Sequence, residues 1–389
     1  MAYSFYIPTR VLFGPGTLNS LSEQKLPGKK ALIAITEGGS MKRNGYFARV
    51  EEQLRQAGCG SAVYDRIQPN PTKDSVMEGA QLGKDQDCDF VVGLGGGSAI
   101  DAAKAIAIMM TNPGDYWDYI HGGTAKGKPF EAKPLPVVAI VTTAGTGTEA
   151  DPWTVVTKTE TKEKIGFGCD DTFPVLSIVD AELMLSIPEK LTAYQGLDAL
   201  FHSTEGYVNR NVSDVSDMFC EKSIELLGRS LVRAVQCGSD LEARNNVAMA
   251  SMIAGYVQST SGCVSQHSLA HAMGAIHPEI PHGAALTAIS CAYFGYLAEQ
   301  HACDDRMIRM AKLLGKEDAS EAMDFVRTLA EIEEACGVSK VALSEYGFTE
   351  EEFSEIAQNA RETMGGNFGN DRVEVSDQVI VDIFSASFR

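Results

Sequence analysis

The sequence predicts an α/β N-terminal domain followed by an all-α C-terminal domain. Up to about residue 185, short apolar runs alternate with amphipathic helical stretches, and beyond it nearly every segment has helical period. A chain of 389 residues is also too long for one ordinary core, so two domains, 1–185 and 186–389, are the natural division.

In the first half, ALIAIT (31–36), DFVVGL (89–94), VVAIVTT (137–143) and VLSIVD (175–180) read as buried strands. YFARVEEQLRQAG and SVMEGAQLGKDQD carry apolar residues at helical spacing between them. Such alternation implies a parallel sheet covered on both faces. Pro188 and Thr192 mark a helix start in the second half. From there ALFHSTEGYV, MFCEKSIELLGRSLVRAV, ARNNVAMASMIAGYV, AMDFVRTLAEIEEACG and EEFSEIAQNARETM all read as helix.

Composition narrows the function. A formal charge of −19 argues against nucleic acid or an anionic membrane surface as partner. No apolar run approaches the roughly 20 residues that span a bilayer. The first residues, MAYSFYIPTRVLFGPG, lack a basic start followed by a long apolar stretch, so no secretory signal is apparent. The nine cysteines are scattered and form no CxxC pair, which suits reduced thiols in a cytoplasmic protein. The expected partner is a small molecule.

GLGGGSAIDAAKAIA (93–107) follows a strand and opens a helix. Gly95, Gly96 and Gly97 allow close backbone approach to a ligand, and Ser98 reads as the N-cap with Asp101 completing a capping pattern. Free N–H groups at the helix start would then face an anion. A tight structural turn would show the same run, and the pattern is neither a full G-x-G-x-x-G nor a Walker loop. TTAGTGTEADPW (142–153) supplies hydroxyl and amide donors after another strand, although a solvated loop reads the same by itself. Glu37 follows ALIAIT, where a carboxylate accepts from a ribose 2′-hydroxyl and repels a 2′-phosphate. That favours NAD over NADP, while the neighbouring Ser40, Lys42 and Arg43 argue the other way. An ordinary surface turn is the alternative for this segment.

Five of the seven histidines fall in two helical segments, GLDALFHSTEGY and QHSLAHAMGAIHPEIPHG. Asp198 and His202 stand four apart, as do His267 and His271, so each pair shares a helix face. His277 and His282 follow. A carboxylate with imidazoles suits one divalent ion of borderline softness, iron(II) or zinc.

In this order the motifs resemble the iron-containing, group III alcohol dehydrogenase family, from RVLFGPG to the last helix. The resemblance implies a dehydroquinate synthase-like fold, a dinucleotide-binding α/β domain and a helical metal domain with a cleft between. It implies Asp198, His202, His267 and His282 as metal ligands, His282 lying in the PHG segment. The interval from His267 is one residue longer than in compared members, which leaves His277 as the substitute. His271 would be a non-ligand polar group near nicotinamide and substrate. Gly95, Gly96, Gly97 and Ser98 resemble the pyrophosphate loop. Thr142, Thr143, Gly147 and Thr148 resemble the segment beside ribose and nicotinamide, and Lys164 the lysine that reaches the ribose. EGGSMKRNG resembles the butanol dehydrogenase branch, which often uses NADP, but Glu37 departs from it. A homodimer is the implied assembly.

The expected reaction is hydride transfer between the nicotinamide and a short-chain alcohol or aldehyde, with the metal as Lewis acid and His271 in a proton relay. Phe368 and Arg372 in GGNFGNDR could reach the substrate, and an arginine there would suit an aldehyde bearing an acidic group. The rivals are glycerol dehydrogenase-like polyol oxidation, a dehydroquinate synthase-like lyase and a nucleotide-binding assembly protein. The lyase chemistry needs clustered Lys and Arg, yet 195–210 and 260–290 hold only Arg210.

Overall fold

A computed structural model describes residues 3–388. They form two compact units, one from Tyr6 to Ser186 and one from Ile187 onward that also takes in Tyr3–Phe5. The α/β unit contains β1 (Arg10–Phe13), β2 (Lys30–Thr36), α1 (Ser40–Arg43), α2 (Tyr46–Gln56), β3 (Gly60–Ile67), α3 (Lys73–Asp85), β4 (Phe90–Gly95), α4 (Gly97–Thr111), β5 (Val137–Val141), β6 (Thr154–Lys158), β7 (Glu163–Phe167) and β8 (Leu176–Val179). Six strands form one parallel sheet in the order β1-β8-β5-β4-β2-β3, and β6 pairs antiparallel with β7.

The pleat explains why the strand sequences are apolar throughout. Along β2, Leu32 and Ala34 pack with α3 and α4 on one face, while Ala31, Ile33 and Ile35 pack with α2 on the other. Val91 of β4 joins the first cluster, and Phe90, Val92 and Leu94 join the second. Each of the larger side chains among them contributes roughly 1.5–3 kcal/mol by leaving water. Helix α4 is buried from Ala99 to Met110, which suits its nearly unbroken apolar sequence. The strands β1, β3, β6 and β7 add to those read from the sequence.

The second unit is helical: α5 (Glu189–Val208), α6 (Asp214–Gln236), α7 (Leu241–Thr260), α8 (Ser265–Ile276), α9 (His282–Glu299), α10 (Asp304–Leu313), α11 (Met323–Ala335), α12 (Phe353–Met364) and α13 (Asp377–Ser387). Pro188 caps α5, as its fixed φ and the following acidic residue favour. Helix α5 is the centre of this unit. It packs against α6, α7 and α9 and is buried on all sides from Gly196 to Val208. No helix among the described residues is long and apolar enough to cross a membrane.

Candidate functional site

Three helices of the second unit bring the metal-type donors together. Helix α5 places Asp198, His202 and Glu205 along one stripe, by steps of four and three residues. Helix α8 presents His267 and His271 one turn apart, and His282 is the first residue of α9. Gly283 is what lets α9 come this close to α5, since a Cβ there would lie 2.3 Å from the Tyr194 carbonyl oxygen.

The three imidazoles converge on one carboxylate oxygen. Asp198 Oδ1 lies 3.7 Å from His202 Nδ1, 3.6 Å from His267 Nε2 and 3.7 Å from His282 Nε2. Donors bonded at about 2.1 Å to a tetrahedral ion stand about 3.4 Å apart, which the separations from Asp198 Oδ1 approach. Asp198, His267 and His282 each offer a donor atom within 4.8 Å of the other two, and His202 groups with His267 and Cys263. Asp198 Oδ1 and His267 Nε2 are buried without a hydrogen-bond partner in the protein. A carboxylate oxygen left so would cost several kcal/mol, which a bound cation removes. The side chains of Asp198, His202 and His267 are at most 6% exposed, whereas that of His282 is 23% exposed. Solvent therefore reaches the donor group from the His282 side.

Glu205 completes the centre. Its Oε1 lies 2.5 Å from His267 Nδ1, and its Oε2 accepts from the Val264 N–H at 3.0 Å. The first contact leaves Nε2 of His267 for an ion and fixes the ring, and the second ties the start of α8 to α5. Burial pushes the Glu205 carboxyl up, and the charge of His267 draws it partly back. Burial opposes a charged His267, but Cys263 and Glu205 outweigh it and raise its affinity for a proton well above the usual histidine range. A metal held at Nε2 would take that proton's place. Sequence reasoning missed Glu205, although its position seven residues after Asp198 on one helix face was a usable signal.

The remaining histidines separate by environment. His271 is buried, with its ring centroid 5.2 Å from that of His282 and 6.5 Å from that of His267. It lies beside the donors without converging on Asp198. His277 instead faces Glu352, 3.2 Å from its Nε2, and packs on Phe348. The geometry thus brings His282, not His277, to the donor group.

In the α/β unit, the sheet topology marks a second site. From β2 the chain goes to β3 on one side and returns through α3 to β4 on the other, so strand order reverses between β2 and β4. Ligands of open parallel sheets bind at the carboxyl ends of the strands at such a point. Glu37 follows β2 there and is exposed, and Gly95 to Ser98 lie where β4 passes into α4. The two neighbouring cations are engaged elsewhere. Lys42 pairs with Asp65 at 2.5 Å, and Arg43 donates to the Gly38 carbonyl at 2.7 Å.

Several roles expected within the loop change. Ser98 is not the N-cap: Gly96 takes that place, and the Ser98 hydroxyl accepts from the Asn70 N–H at 3.3 Å. Asp101 does not cap the helix either. Its carboxylate accepts from the Thr148 hydroxyl at 2.7 Å and the Val155 N–H at 3.0 Å. Gly96 and Gly97 make room for a neighbouring loop, since a Cβ on them would meet Thr143 at 2.8 Å and Thr146 at 2.6 Å. Thr142 is buried, and its N–H donates to the Gly95 carbonyl, which binds the two loops edge to edge. Gly147 takes the turn with a φ of 66°. The Thr148 hydroxyl is used inside the protein, between Asp101 and the Lys104 ammonium. Lys164 reaches the same region from β7, donating to Asn70 Oδ1 at 2.8 Å. Asn70, in a left-handed turn at φ 57°, therefore links Ser98 to Lys164. The QPNPT segment was a turn signal the sequence reading passed over.

Two residues that could have reached the substrate are occupied otherwise. Arg372 donates to the carbonyls of Val208 and Asn209 at 2.9 Å, closing the C-terminus of α5. Phe368 lies under the Arg361 guanidinium, 4.4 Å from its ring centroid.

Comparison with known proteins decides the family. Residues 8–181 match the iron-containing alcohol dehydrogenase model, and residues 192–388 match the C-terminal model of the Fe-containing alcohol dehydrogenase family. The chain belongs to the iron-containing alcohol dehydrogenase family. It is a metal-dependent oxidoreductase acting on alcohols, and family membership implies NAD(H) and a divalent metal. This alcohol dehydrogenase is 32% identical to the 1,3-propanediol dehydrogenase of Klebsiella pneumoniae over 99% of each chain. It is 33% identical to the NAD-dependent methanol dehydrogenase of Bacillus methanolicus over 92% of this chain and 93% of that one. Among solved structures it superposes on an archaeal halo-thermophilic alcohol dehydrogenase from a Red Sea brine pool with a TM-score of 0.94, at 34% identity over 100% and 99% of the chains. It resembles a sulfoacetaldehyde reductase from Bifidobacterium kashiwanohense in complex with NAD+ with a TM-score of 0.86, at 26% identity over 99% and 98%.

Proposed function

We propose that this alcohol dehydrogenase interconverts uncharged short-chain primary alcohols and aldehydes with NAD(H), using one iron(II) or zinc ion held by Asp198, His202, His267 and His282. The convergence of three imidazoles on Asp198 Oδ1 carries the reading. When bound, the ion supplies Lewis acidity for the substrate oxygen, and the nicotinamide supplies or takes the hydride.

The protein's own residues do the rest. Glu205 holds His267 in one orientation, so the donor group needs little reorganisation on loading. His282, the more exposed donor, marks the side by which substrate enters. His271 lies next to it and holds or passes the alcohol proton. The loop at Gly95–Ser98 offers backbone N–H groups to the pyrophosphate. Glu37 accepts from the adenosine ribose 2′-hydroxyl and repels a 2′-phosphate, and the engagement of Lys42 and Arg43 supports NAD over NADP. Arg372 is committed to the end of α5, which favours an uncharged substrate over one bearing a carboxylate or sulfonate.

A panel of acetaldehyde, butanal and sulfoacetaldehyde, run with NADH and NADPH on iron- and zinc-loaded enzyme, tests this. The expected result is a kcat/KM for butanal with NADH about tenfold or more above that with NADPH or with sulfoacetaldehyde. Preference for NADPH would remove the role of Glu37, and preference for the sulfonate would remove the neutral-substrate reading.

A further inference from the structure

Two triads of metal-type donors overlap on His267. Asp198, His267 and His282 form one, each offering a donor atom within 4.8 Å of the other two. His202, Cys263 and His267 form the other by the same measure, with Cys263 Sγ as the third donor. The first triad contains a carboxylate and the second a sulfur, and the two share only His267.

Cys263 is held where it stands. It lies in the link from α7 to α8, four residues before His267, just after Gly262 turns the chain at φ 75°. Its carbonyl accepts from Asn209 Nδ2 at 3.2 Å and Asn370 Nδ2 at 2.9 Å, which anchors the backbone on two sides. The neighbours of its sulfur are the imidazoles of His202 and His267, both at most 5% exposed.

We propose that Cys263 is a fifth donor of the metal centre, taken up by soft divalent ions. Resting on the metal-centre reading above, the inference divides the donors by metal. Iron(II) and manganese(II) are held by the Asp198 carboxylate and the imidazoles alone, whereas zinc, cobalt(II) and cadmium add the Cys263 sulfur, beside His202 and His267, to that set. Coordination forms one sulfur–metal bond and releases the thiol proton to solvent, with no change of oxidation state. The identity of the loaded ion then decides whether Cys263 joins its shell.

Full-length protein stripped of metal and loaded with one equivalent of cobalt(II) tests this by absorbance. Visible d–d bands report that the ion is bound, and a near-ultraviolet sulfur-to-cobalt charge-transfer band reports the thiolate. Both are expected in the native protein, with only the visible bands in Cys263→Ser and Cys263→Ala. Competition with a chromophoric chelator should show zinc affinity about tenfold lower or worse in Cys263→Ser. Manganese(II) affinity should stay within about twofold. Visible bands without the charge-transfer band in the native protein would overturn the thiolate donor while leaving the metal centre intact. A charge-transfer band that survives in both variants would assign the sulfur elsewhere and equally overturn it. Absence of any cobalt spectrum would remove both the donor and the centre it rests on.

Discussion

Single residues decide whether the donor group can hold an ion. Glu205 touches no ion yet sets the ring of His267 through Nδ1, so Glu205→Gln should lower metal affinity about 10–100-fold while the far-ultraviolet circular dichroism stays native. Unchanged affinity by isothermal titration would show that His267 is oriented by packing alone. Glu149 makes a separate prediction. It is 1% exposed with Oε2 unpartnered, and burial pushes its carboxyl up to about 7 from the usual 4.5. The folded chain thus binds the proton more tightly than the unfolded chain. Stability should fall as pH rises from 4.5 to about 7 and stay lower above it, by on the order of 3 kcal/mol. Glu149→Gln should flatten that slope in urea unfolding series, and an equally steep slope in the variant would place the proton on another group. At this scale the sequence was informative about types but not partners. Asp198 and His202 were legible because helical spacing put them on one face, whereas His267 and His282 were picked out by the resemblance of their segments to the family. Glu205 was missed although it shares the helix face of Asp198, and Cys263 was not legible, because a thiol at that position is equally an ordinary side chain until α5 and α8 are seen together.

Elements act by being fastened to one another. Helix α4 carries Lys104, fully buried, whose ammonium donates to the carbonyls of Thr148, Asp151 and Trp153 and to the Thr148 hydroxyl, and lies 3.3 Å from Asp151 Oδ1. Asp101, one turn earlier on α4, binds Thr148 and the start of β6. One charge thus fixes the loop 148–153 against the helix that carries the glycine-rich turn. Lys104→Met leaves the buried Asp151 carboxylate without its cation and should destabilise the protein by about 3–5 kcal/mol in chemical denaturation. A loss below about 1 kcal/mol would mean that the loop is held by its backbone contacts. The elements that were legible are those with an unbroken apolar run, such as β2, β4 and β5, or a clear helical period, such as α2 and α6. β3 was passed over because its sequence GSAVYDRI is half polar, with a mixed burial pattern that fits the sheet edge it occupies. The β6–β7 hairpin was passed over because its Thr- and Lys-rich strands mimic a solvated loop. Ser98 was misread as a cap because serine favours that place, whereas the backbone of Gly96 already starts the helix.

At the scale of the whole molecule, chemistry is divided between units. The α/β unit supplies the strand-order reversal at β2 and β4, and the helical unit supplies the donors on α5, α8 and α9. The change of texture near residue 185 made this division legible, because a parallel sheet needs apolar runs and a helical core needs stripes. The topology at the switch point was not legible, since strand order depends on pairings that no local pattern encodes. The division predicts that the two binding functions fail separately. His267→Ala should lose the metal and lower kcat/KM by about 10³-fold or more, while NADH binding measured by fluorescence is unchanged. The account stands or falls on the ion itself. Protein stripped of metal should be inactive with butanal and NADH, and anaerobic titration with iron(II) or zinc should restore turnover to a plateau at one equivalent per chain. Full activity in the stripped protein, or a titration with no plateau, would contradict a single catalytic cation gathered around Asp198.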